Sequence, residues 1–160
     1  MKKEQIIKYV NNYPGKKVKV AITDIDGVLR GKVMSVDKFL GILENGFGFC
    51  DVVFGWDMAD ELYDKSKITG WHTGFPDVNA KIDLNTFRQV PWDNDIPFFL
   101  GDFRDEKDVP LGICPRNLLR KIDAEARAAG YVPLFSQEFE WFNFDETPWE
   151  LHEKNFNNLK

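Results

Sequence analysis

A chain of 160 residues is long enough for one ordinary domain or two small ones, and its 43% hydrophobic residues can build a core. The net charge of -5, from 21 basic and 26 acidic side chains, argues against a nucleic-acid-binding surface. Cys50 and Cys114 stand far apart without metal-ligand spacing, the start lacks a signal-peptide core, and no apolar run reaches membrane-spanning length. We therefore expect a cytoplasmic protein with reduced thiols and with neither nucleic-acid nor membrane partners.

The first hundred residues predict a small sheet with short helices. Helically spaced apolar residues precede Pro14-Gly15, so a first helix should end there. Alternation over 17–24, the tight-turn pair Asp26-Gly27 and a returning segment at 28–36 predict a β-hairpin. Pro97 favours a position near a sheet edge or a strand start. One further short helix is predicted at 36–43, and further strand-like segments at 46–54, 78–84, 87–91 and 96–103.

The organisation changes near the charged segment 105–108. Pro115 opens a predicted helix that has its apolar residues on one side and ends at Gly130. Residues 136–146 then alternate acidic and aromatic side chains as a strand does, and a last helical turn begins after them. This second part cannot bury a core by itself, so we expect a chain that is cut short.

Glu138 and Glu140 are the strongest candidates for a metal site. With the period of two of a strand, both carboxylates point to one face. Two like charges among aromatic residues are costly unless a cation lies between them, and Mg²⁺ takes carboxylate oxygens. The alternative that this segment leaves open is an edge strand with a solvated acidic face.

The stretch VAITDIDGVLR at 20–30 suggests a different chemistry. It is similar to the nucleophile strand of haloacid-dehalogenase-type phosphatases, in which Asp24 would be the nucleophile and Asp26 the general acid. The doubly wound fold of that family needs alternating helices and parallel strands, which the sequence does not show. We favour the interpretation that both residues belong to a hairpin turn, where Asp is preferred for its backbone hydrogen bonds.

Taken together, four segments in order resemble the glutamine synthetase family: 26–31, 75–78 with 83–92, 112–119, and 130–142. The resemblance implies an α+β fold. Residues 1–105 would form a β-grasp N-terminal domain with a mixed sheet and short helices. Residues 106–160 would form a truncated start, one helix and one strand, of the α/β catalytic domain.

The resemblance also implies an ATP-dependent carbon–nitrogen ligase, which joins the γ-carboxylate of glutamate to ammonia or an amine through an acyl phosphate. Magnesium or manganese would be the cofactor, ATP a substrate, and the full-length protein a ring-shaped homo-oligomer. Glu138 would hold the metal that bridges the nucleotide phosphates, and Glu140 the metal beside the carboxylate of the acceptor amino acid. The 160-residue chain alone is expected to be inactive, because the remaining ligands of the family lie further along.

Asp51 is the catalytic residue that the resemblance implies. In ammonia-using members the N-terminal domain supplies a loop of the Asp-Gly-Ser-Ser type to the active site of the neighbouring subunit, where its aspartate helps to deprotonate ammonium. Val52 and Val53 replace the small polar residues here, which resembles the divergent branches that use polyamines or other amines. The residues alone also allow the alternative that Asp51 is a solvated carboxylate near a turn. A phosphatase and a non-catalytic β-grasp assembly module stay open as alternative functions.

Three kinds of residue remain outside these motifs. His72 could contact a substrate, but we favour an ordinary loop residue, and we interpret Arg116 as either a phosphate contact or a structural ion pair at a helix start. The three tryptophans of the first part are interpreted as packing or interface residues: Trp56, Trp71 and Trp92.

Overall fold

Five strands form one mixed sheet in the computed structural model, which describes residues 1–160. The neighbours follow the order β2-β1-β5-β4-β3; the β1–β5 pair is parallel and the other pairs are antiparallel. The strands are β1 (Lys17–Thr23), β2 (Leu29–Ser35), β3 (Phe47–Cys50), β4 (Asp77–Val90) and β5 (Ile96–Arg104).

Four short helices accompany the sheet. They are α1 (Lys3–Asn12), α2 (Val36–Ile42), α3 (Pro115–Ala128) and α4 (Pro148–Glu153), with 3-10 turns at Asp51–Phe54 and Pro91–Asp93. Ser35 caps α2 by accepting a hydrogen bond from the N–H of Lys38, and Thr147 caps α4 in the same way from Glu150. No helix is long and apolar enough to cross a membrane.

The core lies on the face of the sheet that α1 and α2 cover. Phe39 of α2 and Phe99 of β5 are fully buried there, with ring centroids 4.7 Å apart. A second cluster lies under the 3-10 turn that follows β3, where the rings of Phe54 and Phe103 are 4.8 Å apart. The alternation of Val18, Val20 and Ile22 along β1 supplies both clusters with buried side chains.

The predicted hairpin, the first two helices and the helix after Pro115 are confirmed. The segments at 78–84 and 87–91 form the single strand β4, whose register shifts between Asp83 and Arg88. Pro97 is the second residue of β5, so its predicted position at a strand start is confirmed, although β5 is a central strand. The segment 46–54 is a strand only as far as Cys50.

The strand predicted over 136–146 is wrong. No strand or helix lies between Ala128 and Pro148, and the residues from 136 to 145 are exposed. A strand needs a neighbour to pair with its backbone N–H and C=O groups, and no strand of the sheet lies beside this segment. The alternation of acidic and aromatic residues therefore gives no β-structure in these 160 residues.

Candidate functional site

Asp51 begins the 3-10 turn after β3 and is only 6% exposed, so the alternative of a solvated carboxylate is wrong. Its backbone N–H donates to the carbonyl of Pro76 at 3.0 Å. Its Oδ1 accepts a hydrogen bond from the hydroxyl of the buried Thr69 at 2.5 Å. The loop between Gly55 and Pro76 is therefore attached to Asp51 at two points. Sequence reasoning missed Thr69, because nothing local relates a loop threonine to an aspartate 18 residues earlier.

The two valines after Asp51 are packing residues. Val53 is fully buried in the second core cluster, and the partly buried Val52 packs against the same cluster. These side chains therefore hold the turn against the sheet. A polar Ser at position 53 would place an unsatisfied hydroxyl in an apolar environment, which is unfavourable.

Glu138 and Glu140 do not form a complete metal site. Both side chains are exposed, and nowhere in the structure do three or more His, Cys, Asp or Glu residues form a group that could hold a metal ion. A hard divalent cation takes about six oxygen ligands, and two carboxylates supply only part of that number. Within these 160 residues the two carboxylates alone therefore cannot hold a magnesium ion, and their assignment as ligands that act together with others stays a prediction.

We expect Mg²⁺ titrated into the 160-residue chain to give no saturable heat at micromolar concentrations in isothermal calorimetry. The paired variant Glu138→Gln with Glu140→Gln should give the same flat isotherm, because the site lacks its other ligands. A stoichiometric transition that the double variant removes would contradict this expectation, since it would require a complete site within these residues.

Asp24 is a structural residue of the hairpin turn. It is 0% exposed, and its Oδ1 accepts the backbone N–H groups of Asp26 and Val28 at 3.0 and 2.8 Å. Its Oδ2 accepts from Nε of Arg30 at 2.7 Å. Arg30 also contacts Asp60, and its guanidinium lies 4.7 Å from the ring centroid of Trp56. Asp24 therefore links the hairpin to the following loop, and the turn interpretation is confirmed.

A phosphatase finds no support in this arrangement. A nucleophilic aspartate has to be reachable by its substrate, and Asp24 is fully enclosed. The sheet has one parallel pair among four, whereas the phosphatase fold needs a doubly wound parallel sheet with helices on both faces.

Arg116 makes the structural ion pair that its position at a helix start suggested. Two carboxylates of the sheet, Asp83 and Asp102, face two arginines in the first turns of α3. Arg116 lies 3.1 Å from Asp83 and 3.0 Å from Asp102, and Arg120 lies 2.8 and 2.7 Å from the same two carboxylates. This group of four, the α3 ion cluster, attaches α3 to β4 and β5.

The polar side of α3 contacts the sheet, and its apolar side does not. Besides the ion cluster, the buried Asn117 donates from Nδ2 to the carbonyls of Phe103 and Leu111 at 2.8 and 3.2 Å. The apolar residues Leu118, Leu119 and Ile122 are about half exposed. Polar contacts therefore dominate the attachment of α3 to the sheet, and its apolar stripe faces away from it.

The α3 ion cluster predicts a dependence of stability on pH. Burial opposes the ionisation of Asp83, but hydrogen bonds from Arg116 and from the N–H of Asn85, with the charge of Arg120, lower its pKa below the ordinary value. A carboxyl whose pKa is lowered by folding stabilises the protein above the unfolded pKa of about 3.9. That contribution is lost as the pH falls through the lower, folded value.

We therefore expect the free energy of unfolding, measured in urea, to fall as the pH decreases below about 4. Asp83→Asn should make this decrease shallower, because the variant has no carboxyl to protonate. Glu61→Gln is the control, since Glu61 is exposed and makes no ion pair. Equal pH profiles for the wild type and Asp83→Asn would contradict the assignment.

No protein-family model matches the sequence, but individual proteins are similar to it. The chain is 48% identical over 143 residues to a protein of Dictyostelium discoideum named type-1 glutamine synthetase 2, covering 89% of this chain and 27% of that protein. It is 35% identical over 149 residues to a glutamate–isopropylamine ligase of a Pseudomonas species, covering 91% of this chain and 32% of that protein. The chain thus spans about a third or less of the length of these relatives.

A solved structure supports the same fold. A crystal structure described as a novel glutamine synthase homologue superimposes with a TM-score of 0.59 at 24% identity, covering 71% of this chain and 27% of that one. At this identity the likeness concerns the fold, and it agrees with the mixed five-stranded sheet described above.

Proposed function

This chain belongs to the glutamine synthetase family, and from that premise we propose that it is the N-terminal part of an ATP-dependent ligase. The ligase would join the γ-carboxylate of glutamate to ammonia or an amine. The observation that carries the proposal is the 48% identity over 143 residues, which include the sheet, the turn at Asp51 and α3. In this proposal residues 1–105 are the β-grasp domain and residues 106–160 begin the catalytic domain.

The α3 ion cluster and the reversed face of α3 support this division. Ion pairs attach α3 to the sheet, and its apolar residues Leu118, Leu119 and Ile122 are exposed. This apolar stripe is therefore available to pack against a further layer of structure. The aromatic residues after it, such as Phe135 and Phe139, are also exposed. Both features fit a segment that begins a larger domain, and the assembled protein would be a ring-shaped homo-oligomer.

The reaction that we propose has two steps. The γ-carboxylate of glutamate attacks the γ-phosphate of ATP, which forms an acyl phosphate and releases ADP. The neutral amine then attacks the acyl carbon, and inorganic phosphate leaves as the amide forms. Asp51 would take the proton of the incoming ammonium group, so that a lone pair is free for attack.

The metal ligands complete the proposal. The family uses ATP and a divalent metal ion, and Glu138 and Glu140 would each contribute one carboxylate to such ions. Because these carboxylates form no complete site in the structure, the proposal derives no step from a metal held by these residues.

The test is an assay of the protein expressed from the complete gene that carries this sequence. We expect ADP and a γ-glutamyl amide to form only when ATP, glutamate and an amine are all present, with isopropylamine and ammonia compared as acceptors. The 160-residue chain alone should give no product. Failure of ADP formation with every amine tried would refute the proposal.

Two variants of the same protein test the site. Asp51→Asn should lower the rate of amide formation by about 100-fold, the usual contribution of a general base. Asp24→Asn should leave the rate largely unchanged, because Asp24 belongs to the hairpin turn. A complete loss of amide formation in a folded Asp24→Asn variant would contradict a purely structural role of Asp24 in the turn.

A further inference from the structure

A cavity of about 840 Å³ lies between α3 and the strands β4 and β5. Its volume falls within the range of ~300–1,000 Å³ that small-molecule ligands occupy. The side chains that line it are charged, amide-bearing or aliphatic, and none is aromatic. A flat ring such as a nucleotide base would find no stacking partner here, so the walls suit a ligand that is recognised by its charge.

The walls of the cavity carry an excess of positive charge. Four cationic side chains and two carboxylates line it: Lys81, Arg104, Arg120, Lys121, Asp83 and Asp102. Both carboxylates belong to the α3 ion cluster, in which each of them pairs with two guanidinium groups. The cavity is therefore locally positive, although the net charge of the chain is -5. Such a local excess favours an anionic ligand.

Arg104 is a cation of this cavity that has no protein partner. It is partly buried at the end of β5, and its Nε atom is buried without a hydrogen-bond acceptor. It takes part in none of the ion pairs of the structure. A buried donor without an acceptor is unfavourable and is rare in folded proteins. An oxyanion in the cavity would supply the acceptor.

Lys81 places a second cation close to Arg104. Its Nζ lies 2.7 Å from Oδ2 of Asp108. The hydrogen bond from Lys81, with the charges of Lys81 and Arg104, lowers the pKa of the Asp108 carboxyl, although desolvation opposes this. Both cations therefore act on one point. Asp108 is 59% exposed, and such a surface pair is weak, so Lys81 is available to an anion in the cavity. The carboxylates of Asp105 and Glu106 line a neighbouring groove and not this cavity.

We propose that this cavity binds a phosphate dianion, either free or as the ester of a small aliphatic alcohol, through Arg104 and Lys81. A guanidinium group can donate two parallel hydrogen bonds to phosphate oxygens, and a lysine adds a compact positive charge. The side chains of Ile82, Leu84 and Val109 supply an aliphatic wall for the carbon part of an ester. The site includes none of the residues assigned to the proposed reaction, so it goes beyond that function and does not depend on it.

Titration of inorganic phosphate into the 160-residue chain at about pH 7.5, followed by backbone amide shifts in NMR, tests the site. We expect saturable shifts at Lys81, Arg104, Val109 and Lys121, and none in α1 or β2. Propyl phosphate should saturate the same amides, and tighter binding of the ester than of inorganic phosphate would identify the ester as the ligand. Sodium chloride at equal ionic strength should give no saturable shifts. Absence of saturation with both phosphates, or equal shifts with chloride, would overturn the proposal.

Matched variants locate the anion. Arg104→Met should weaken phosphate binding about tenfold, as the loss of a hydrogen bond to a charged group usually does. Arg88→Met is the control, because Arg88 lies on β4, is exposed and does not line the cavity. Lys81→Gln should also weaken binding, whereas Lys107→Gln should not, since Lys107 is exposed and lies outside the cavity. Unchanged affinity in both Arg104→Met and Lys81→Gln would refute the site.

Thermal unfolding separates a lost contact from a lost fold. Arg104→Met removes a charge that has no partner, so without phosphate this variant should unfold at a temperature no lower than the wild type does. Saturating phosphate should raise the unfolding temperature of the wild type and leave that of Arg104→Met nearly unchanged. An equal rise in both proteins, or a variant that is destabilised without phosphate, would contradict the assignment of Arg104 as a ligand-binding residue.

Discussion

Replacing Asp24 with alanine should lower the free energy of unfolding by about 3 kcal/mol. The variant loses a fully buried carboxylate that accepts two backbone N–H groups of the turn. It also leaves Arg30 without its partner at 2.7 Å. Removing one partner of a buried ion pair destabilises a protein by more than the intact pair stabilises it, because the remaining charge stays buried without compensation. Arg30 keeps its contact with Asp60, which is why we expect a value at the lower end of the usual range.

Urea unfolding followed by circular dichroism measures this change. Asp26→Ala is the matched control, because Asp26 lies in the same turn but is exposed and should change the stability by less than about 0.5 kcal/mol. Equal destabilisation by the two variants would show that the turn, and not the buried carboxylate, is responsible.

Replacing Asp102 with alanine should also cost about 3 kcal/mol, and this loss should appear first in α3. Asp102 is 3% exposed and pairs with both arginines of the α3 ion cluster, so its removal leaves Asp83 as their shared partner. Because few other contacts attach α3 to the sheet, the amides of residues 115–128 should exchange with solvent faster than those of β1 and β5.

Asp123→Ala provides the control on the same helix. Asp123 pairs only with Arg127, one turn further along the partly exposed surface of α3, and such a pair contributes about 0.3–0.5 kcal/mol. Equal rates of amide hydrogen exchange in α3 for Asp102→Ala and Asp123→Ala would contradict the proposal that the ion cluster attaches this helix to the sheet.

The parts of the fold that the sequence predicts are those with local signals. Asp26-Gly27 identifies the hairpin because the conformation of a tight turn depends on the residues within it. Gly27 has the positive φ of 84° that this turn needs. Pro115 and Gly130 mark α3 for similar reasons, and Gly130 also has a positive φ. These elements needed no knowledge of the partners that they pack against.

The parts that could not be predicted depend on partners far along the chain. Alternation at 136–146 predicts two faces, but it does not supply the neighbouring strand that β-structure needs. The contact between Asp51 and Thr69 depends on the path of a loop, and therefore has no periodic signal. For the same reason the reversed orientation of α3 could not be read from its amphipathic pattern, which says which residues share a face but not what that face meets.

The position of β5 has a consequence for how the chain folds. β5 is the last strand in the sequence and the third of five in the sheet, and its parallel pairing joins Lys19 to Phe98. The β1–β2 hairpin and the β3–β4 pair have no strand to connect them until β5 takes its place between β1 and β4. During synthesis the five-stranded sheet therefore cannot be completed before residue 104 has left the ribosome. Contacts that span so much of the sequence fold slowly. The rate-limiting step in refolding should therefore be the insertion of β5, and core substitutions in β5 should slow folding more than substitutions in the early hairpin do.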